Sequence, residues 1–86
     1  MLIKFSSHSL KRLRERSIPR KTAEGAIRNP DKLELSRVDR KRLLIKKLYY
    51  NRILNRDHLL IIVCEKQKDL IKVITIIDTS KISKYF

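Results

Sequence analysis

Three side chains suited to binding a phosphate stand four residues apart near the start of the chain. They are His8, Arg12 and Arg16, within the segment SSHSLKRLRERSIP at residues 6–19. On a helix, side chains at this spacing lie one above the other, so an imidazole and two guanidiniums would share one side. Leu10 and Leu13 fall on roughly the opposite side. Because guanidinium forks match phosphate geometry and histidine exchanges protons near neutral pH, the segment predicts a site for a phosphate-bearing ligand.

The charge of the whole chain indicates the same kind of partner. The 86 residues include 22 Lys+Arg against 9 Asp+Glu, a formal net charge of +13, which is typical of a protein that binds a polyanion, by default nucleic acid. The single cysteine, Cys64, lies in an apolar run and is interpreted as a buried small hydrophobe. No apolar run approaches the roughly 18 residues of a membrane span, and the N-terminus does not resemble a signal peptide, so we expect a cytoplasmic protein with no membrane partner.

Two helices must position the basic residues. The first is expected to begin at a cap supplied by Ser6 or Ser7, which places His8 in its first turn. It is expected to end near Ser17, because Pro19 disfavours the helical conformation in the residue before it.

The second helix is predicted over residues 19–28, with Pro19 at its first position and Asn29-Pro30 after its end. Ala23, Ala26 and Ile27 recur at the spacing of one buried face. Gly25, the only glycine of the chain, lies inside this helix and costs about 1 kcal/mol relative to alanine. A close helix crossing would compensate for that cost, and a glycine that merely destabilises is the alternative.

After residue 30 the pattern changes to that of strands. Four are predicted, over residues 32–36, 42–50, 58–65 and 70–78, and the third is apolar on both faces, as a central strand should be. Residues 2–5 form either an edge strand or a tether packed on the core. The connections are too short for parallel crossovers, so the sheet should be mainly antiparallel.

The predicted fold is therefore α+β, a single domain over residues 1–86 with two N-terminal helices packed on a mainly antiparallel four-stranded sheet. The helices cover one sheet face. The other face is expected to be a nucleic-acid surface or a dimer interface.

The motifs carry a resemblance to a known family. The pattern His-x3-Arg-x3-Arg-x-Ile from His8 to Ile18, then AI-x-NP at residues 26–30, then LLIIVCEKQKDLIKVITIIDTSKISKY, resembles a widespread family of small prokaryotic domains of unknown function. That family is generally placed among the RelE-like ribonuclease toxins, which share a barnase-like fold. Thr75 matches a recurrent threonine of the last core strand. The chain departs from the pattern at Ser17, where a glycine commonly follows the second arginine.

The resemblance implies a metal-independent endoribonuclease of toxin type, with no cofactor and no metal. His8 would exchange a proton, Arg12 and Arg16 would stabilise phosphate charge, and Thr75 would donate a hydrogen bond to a phosphate oxygen. Lys81 and Tyr85 would close the nucleic-acid site from the C-terminal end. His58 is interpreted as the entrance of a strand and is left out of the site.

Each assignment has an ordinary structural alternative. His8 could cap its helix, Arg12 and Arg16 could form a solvated face, and Thr75 could be a plain strand residue. Three functions therefore stay open. The first is the RNA-cleaving toxin, held inactive by an antitoxin protein. The second is a nucleic-acid-binding module without catalysis, and the third is a basic protein-interaction domain, which includes a possible homodimer.

Overall fold

Five strands form one mixed sheet, and two helices pack on one of its faces, in the computed structural model, which describes residues 2–39 and 41–86. The predicted α+β class is confirmed. In chain order the elements are β1 (Leu2–Phe5), α1 (Ser7–Glu15), α2 (Arg20–Arg28), β2 (Lys32–Leu35), β3 (Arg42–Asn51), β4 (Arg56–Gln67), β5 (Leu70–Thr79) and α3 (Ile82–Tyr85).

The sheet has one strand more than the four predicted. Its order is β1-β5-β4-β3-β2, in which β1 is parallel to β5 and every other pair is antiparallel. Residues 2–5 are thus an edge strand and not a tether. Their partner is the last strand, so the rest of the chain supplies the long connection that a parallel pair requires. A four-residue segment is too short for its alternation to reveal this pairing.

The core lies between the sheet and the two helices. Leu13 of α1 and Ala23 of α2 are buried against apolar side chains of the three central strands. On β4, Leu60, Ile62 and Cys64 alternate on this face and are fully buried. Burial raises the pKa of the Cys64 thiol to about 11, which agrees with its interpretation as an apolar side chain.

A β-bulge interrupts the pairing of β4 with β5. Val63 pairs with Thr75 and Cys64 pairs with Val73, so Ile74 is an extra residue on β5. An extra residue reverses the faces to which the following side chains point. Val73 before the bulge and Ile76 after it are therefore both buried in the same core.

Helix α1 has defined ends. Ser6 is the N-cap, and its Oγ accepts a hydrogen bond of 3.0 Å from the Ser9 amide. At the other end Ser17 has a φ of 54°, and the Ile18 amide donates to the Leu13 carbonyl at 2.9 Å. This is a Schellman end, whose left-handed position glycine normally occupies because it has no Cβ. The family pattern commonly has a glycine at this position, whereas this chain has Ser17.

Helix α2 contradicts the expected role of Gly25. Ala23, Ala26 and Ile27 are its buried residues, as predicted, whereas Pro19 is the N-cap and not the first helical residue. Gly25 itself is exposed, and a Cβ added there would meet no atom within 4 Å. The predicted close helix crossing at this glycine is wrong, because the buried face of the helix is carried by the two alanines.

The C-terminal residues cover part of the sheet face opposite α1 and α2. The sequence had predicted either a nucleic-acid surface or a dimer interface for this face. Lys46 is buried there, and its Nζ donates to the Tyr85 carbonyl at 2.6 Å and lies 3.3 Å from the Glu34 carboxylate. Hydrogen bonds from Lys32 and Lys46 lower the pKa of Glu34. Helix α3 is thus held across this face by an ammonium group. Among the helices of residues 2–39 and 41–86, none is long and apolar enough to span a membrane.

Candidate nucleic-acid interface

His8 and Thr75 are in contact although 67 residues separate them in sequence. His8 Nε2 lies 3.0 Å from Thr75 Oγ1 in an exposed position, and the tautomer decides which of the two donates. Only Leu70 to Val73 of β5 pair with β1, so the second half of β5 forms a free sheet edge. Helix α1 begins directly after β1 and packs on β5. The start of the helix therefore meets the strand at Thr75.

Ser6 fixes this meeting point. Besides capping α1, its hydroxyl donates to the Ile74 carbonyl at 3.0 Å, and its amide donates to the Val73 carbonyl at 3.1 Å. The same serine therefore joins the helix start to the bulge of β5. Since His8 lies two residues after Ser6 and Thr75 one residue after Ile74, these bonds set the separation of the imidazole and the hydroxyl.

Arg12 and Arg16 continue along the helix from His8. Arg12 lies within α1 with 43% of its side chain exposed, and its Nη1 is 4.0 Å from Glu15, a separation that constrains the guanidinium weakly. Arg16 is the C-cap of α1 and is exposed. The four-residue spacing gives a rise of about 6 Å per step along the helix. The imidazole and the two guanidiniums thus form a row beside the edge of β5.

A buried polar network lies at the Arg16 end of this row. The Tyr49 hydroxyl donates to Asp78 Oδ1 at 2.7 Å, and His58 Nδ1 lies 3.1 and 3.2 Å from the two Asp78 oxygens. The side chains of His58 and Asp78 are each 6% exposed. Because a carboxylate only accepts, Nδ1 of His58 carries the proton of this bond. Asn51 Nδ2 also approaches the Tyr49 hydroxyl, at 3.4 Å.

The network affects the chemistry of the Tyr49 phenol. Burial and the neighbouring Asp78 raise the pKa of Tyr49, while the positive charge of Arg16 acts in the opposite direction. The phenol therefore keeps its proton and acts as a donor at neutral pH. Ser17, which follows the helix, and Tyr49 line the same groove, so the end of α1 lies near Tyr49. Helix α1 consequently runs along β5 from Thr75 toward Asp78.

Lys81 and Tyr85, the other two predicted nucleic-acid-binding residues, are not brought next to His8. Lys81 is exposed before α3, and its amide donates to Thr79 Oγ1 at 3.1 Å. The Tyr85 carbonyl is bound by Lys46 of β3, whose neighbour Ile45 faces the helices. Side chains alternate along a strand, so Tyr85 lies over the sheet face opposite α1. Strand β4 lies between this part of the sheet, on β3, and strand β5 with its free edge.

Sequence reasoning missed His58 and Asp78 as partners. A usable signal was present, because Asp78 ends the apolar run VITIID, and a carboxylate there needs a hydrogen-bonding partner if it is buried. Within residues 2–39 and 41–86, no group of three or more His, Cys, Asp or Glu side chains is arranged to hold a metal ion.

Fold and site together define an α+β domain that displays a histidine and two arginines on a helix beside a free sheet edge. The chain belongs to the family described as "Domain of unknown function (DUF4258)", whose family model matches residues 5–78. The matched region contains His8, Arg12, Arg16, Thr75 and Asp78. No curated protein and no solved structure matches the chain significantly.

Proposed function

We propose that this domain binds single-stranded RNA along α1 and cleaves it without a metal ion, as a relative of the RelE-like ribonuclease toxins. The contact between His8 and Thr75, at the head of a helix that carries Arg12 and Arg16, is the observation that supports the proposal most directly. Isolated solvated side chains would not be expected to meet across 67 residues. The net charge of +13 supports a polyanionic substrate.

The chemistry assigned to these groups is a transesterification within the RNA. The imidazole of His8 takes the proton of a ribose 2′-hydroxyl, the 2′-oxygen bonds to phosphorus, and the bond to the 5′-oxygen breaks as that oxygen takes a proton from solvent. Arg12 donates to the charged phosphate oxygens, and the Thr75 hydroxyl donates to one of them. The products are a 2′,3′-cyclic phosphate and a 5′-hydroxyl end.

His8→Gln is the variant that tests proton transfer. The glutamine side chain reaches about as far as Nε2, so it can keep the hydrogen bond to Thr75 but cannot serve as a base. We expect cleavage of a single-stranded RNA in EDTA to fall by about 10²- to 10⁴-fold, with RNA affinity nearly unchanged. If His8→Gln cleaves as fast as the wild type, the catalytic assignment is wrong.

The arginines are tested by the salt dependence of binding. Arg12→Ala and Arg16→Ala should each weaken RNA binding and lower the slope of log affinity against log salt by about 1, because each removes one phosphate contact. Arg14→Ala is the matched control, since Arg14 is exposed on the same helix but lies on another side of it. Equal effects of all three changes would show that only net charge matters.

A second function follows from one outcome of these assays. If well-folded protein binds RNA in a salt-dependent manner but cleaves none, with or without magnesium, the domain is a nucleic-acid-binding module. The exposed guanidiniums of Arg12 and Arg16 favour this reading as much as they favour catalysis, because phosphate binding does not need His8. If binding is also absent, a protein partner such as an antitoxin becomes the proposal to test.

A further inference from the structure

One edge of the sheet displays leucines that the helices leave exposed. Strand β2 is an edge strand whose one neighbour, within the residues that the structure describes, is β3. Leu33 pairs with Ile45 and Leu35 pairs with Leu43, so both leucines of β2 lie on the face that carries the helices. They are nevertheless 58% and 64% exposed, because α1 and α2 pack on β5 and β3. An apolar edge of this kind is a template for pairing with another strand.

The backbone of β2 is also available for pairing. The Ser36 amide donates to the Arg42 carbonyl at 2.9 Å, which identifies the residues of β2 whose backbone groups point toward β3. Hydrogen-bonded and non-hydrogen-bonded residues alternate along an antiparallel pair of strands. The amides and carbonyls of Leu33 and Leu35 therefore point away from β3, toward the outer edge of the sheet. A strand that paired there would bind these backbone groups and cover both leucines.

From these features we propose that two copies of the chain associate through β2, in antiparallel pairing about a two-fold axis at Leu33. A two-fold interface needs a self-complementary surface, and β2 has one. With Leu33 opposite Leu33 of the second copy, Lys32 of each copy faces Glu34 of the other. The next register that keeps the faces, centred on Glu34, would place two glutamates opposite each other. A shift by one residue would set the charged side of one strand beside the leucine side of the other.

The opposite edge of the sheet lacks this complementarity. Strand β1 also has an exposed leucine, Leu2, which is 72% exposed. Its one charged side chain is that of Lys4. Antiparallel self-pairing centred on Ile3 or on Lys4 would therefore place Lys4 opposite Leu2 or opposite a second Lys4, and a lysine on an edge strand opposes such pairing. The charge pattern thus favours β2 as the interface.

The interface is small, so the association should be weak. Strand β2 has 4 residues, and each copy carries a formal net charge of +13 that repels the other at low ionic strength. We expect a dissociation constant of roughly 10–100 µM once salt screens this charge. Strands β3 and β4 separate β2 from β5, on which α1 packs, so pairing at β2 does not cover α1. The inference therefore does not depend on the proposed RNA cleavage.

The test is analytical ultracentrifugation of the protein from about 5 to 500 µM in about 0.3 M salt, which screens the repulsion. Nuclease treatment beforehand removes RNA that could bridge two copies. We expect the average mass to rise from that of the monomer toward twice that value. Over the same range the amides of Leu33 and Leu35 should exchange with deuterium more slowly, because both point into the interface. A protein that stays monomeric, or that dimerises without protecting these amides, would overturn the proposal.

Matched variants locate the interface. Leu33→Lys puts two ammonium groups together at the two-fold axis and should weaken the dimer by at least about 30-fold, since like charges that meet in an interface are strongly unfavourable. The exposure of Leu33 lets the monomer keep its fold, which circular dichroism checks. Leu2→Lys is the control, because it makes the same change at an exposed leucine of the other edge strand, and it should dimerise like the wild type. Dissociation by Leu2→Lys but not by Leu33→Lys would place the interface elsewhere.

Charge reversal tests the register. Lys32→Glu and Glu34→Lys each set like charges opposite each other in a dimer of that variant, so each alone should dimerise less than the wild type. An equimolar mixture should recover the dimer, because the introduced glutamate faces the introduced lysine and the native Glu34 faces the native Lys32. A mixture of two folded variants that stays monomeric would refute the register centred on Leu33. If Glu34→Lys does not fold, since Glu34 also contacts the buried Lys46, the Leu33→Lys comparison decides the proposal.

Discussion

Asp78→Ala should destabilise the domain more than the alanine substitution of any exposed aspartate or glutamate. The substitution removes the acceptor of one hydrogen bond of 2.7 Å from the Tyr49 hydroxyl and of the contacts at 3.1 and 3.2 Å from His58 Nδ1. A buried donor left without a partner costs about 1–3 kcal/mol. Two such donors give roughly 2–4 kcal/mol, after allowing for the Asn51 contact to Tyr49 and a change of tautomer at His58.

The measurement is the free energy of unfolding from urea titrations followed by circular dichroism at pH 7. Asp57→Ala is the control, because Asp57 is exposed one strand away, and it should lie within about 0.5 kcal/mol of the wild type. The reasoning also requires coupling, so in a double-mutant cycle Tyr49→Phe should cost less in the Asp78→Ala background than in the wild type. An Asp78→Ala protein as stable as the control, or additive effects in the cycle, would refute this account of the network.

Three smaller changes probe the fold. Gly25→Ala should raise the free energy of unfolding by about 0.5–1 kcal/mol, because an added Cβ meets no atom there, and a loss of stability would mean that the glycine has an unseen packing role. Ser17→Gly should stabilise by about 1 kcal/mol through relief of the left-handed backbone at φ 54°, so equal urea midpoints would contradict the assigned strain. Cys64 should resist alkylation at pH 8 until the protein unfolds, since burial raises its pKa to about 11. The sign of that shift also predicts that stability declines as the pH rises from about 9 to 11, a decline that Cys64→Ala should reduce.

The sequence predicted those features of the fold that depend on residues close to one another along the chain. The cap at Ser6, the buried face of α2 and the limits of the last two strands depend on residues within a few positions of one another, and each agrees with the structure within about two residues. Helix α3 was not predicted, and residues 2–5 were predicted only as either an edge strand or a tether, because four residues carry too little periodicity to identify an element. Their positions are set by partners about 70 and 40 residues away in sequence, namely Val73 and Lys46.

In the candidate site, too, the features set by nearby residues were predictable and the contacts between distant residues were not. The spacing of His8, Arg12 and Arg16 is a local property of a helix and was readable from the sequence. The pairing of His8 with Thr75 came only from a resemblance, since no local pattern connects residues 67 positions apart. Tyr49, His58 and Asp78 lie on three different strands, so their meeting depends on the register of the sheet.

The bulge at Ile74 decides which residues of β5 reach the site. Simple alternation from Ile71 and Val73 would place Thr75 in the core and leave Asp78 on the opposite face. The extra residue reverses this order, so Ile76 and Asp78 lie on the core face, and Asp78 reaches Tyr49 and His58. Thr75 is released from the core and meets His8 at the free edge. One inserted residue thus creates both ends of the candidate site, and Ser6 holds it in place through the Ile74 carbonyl.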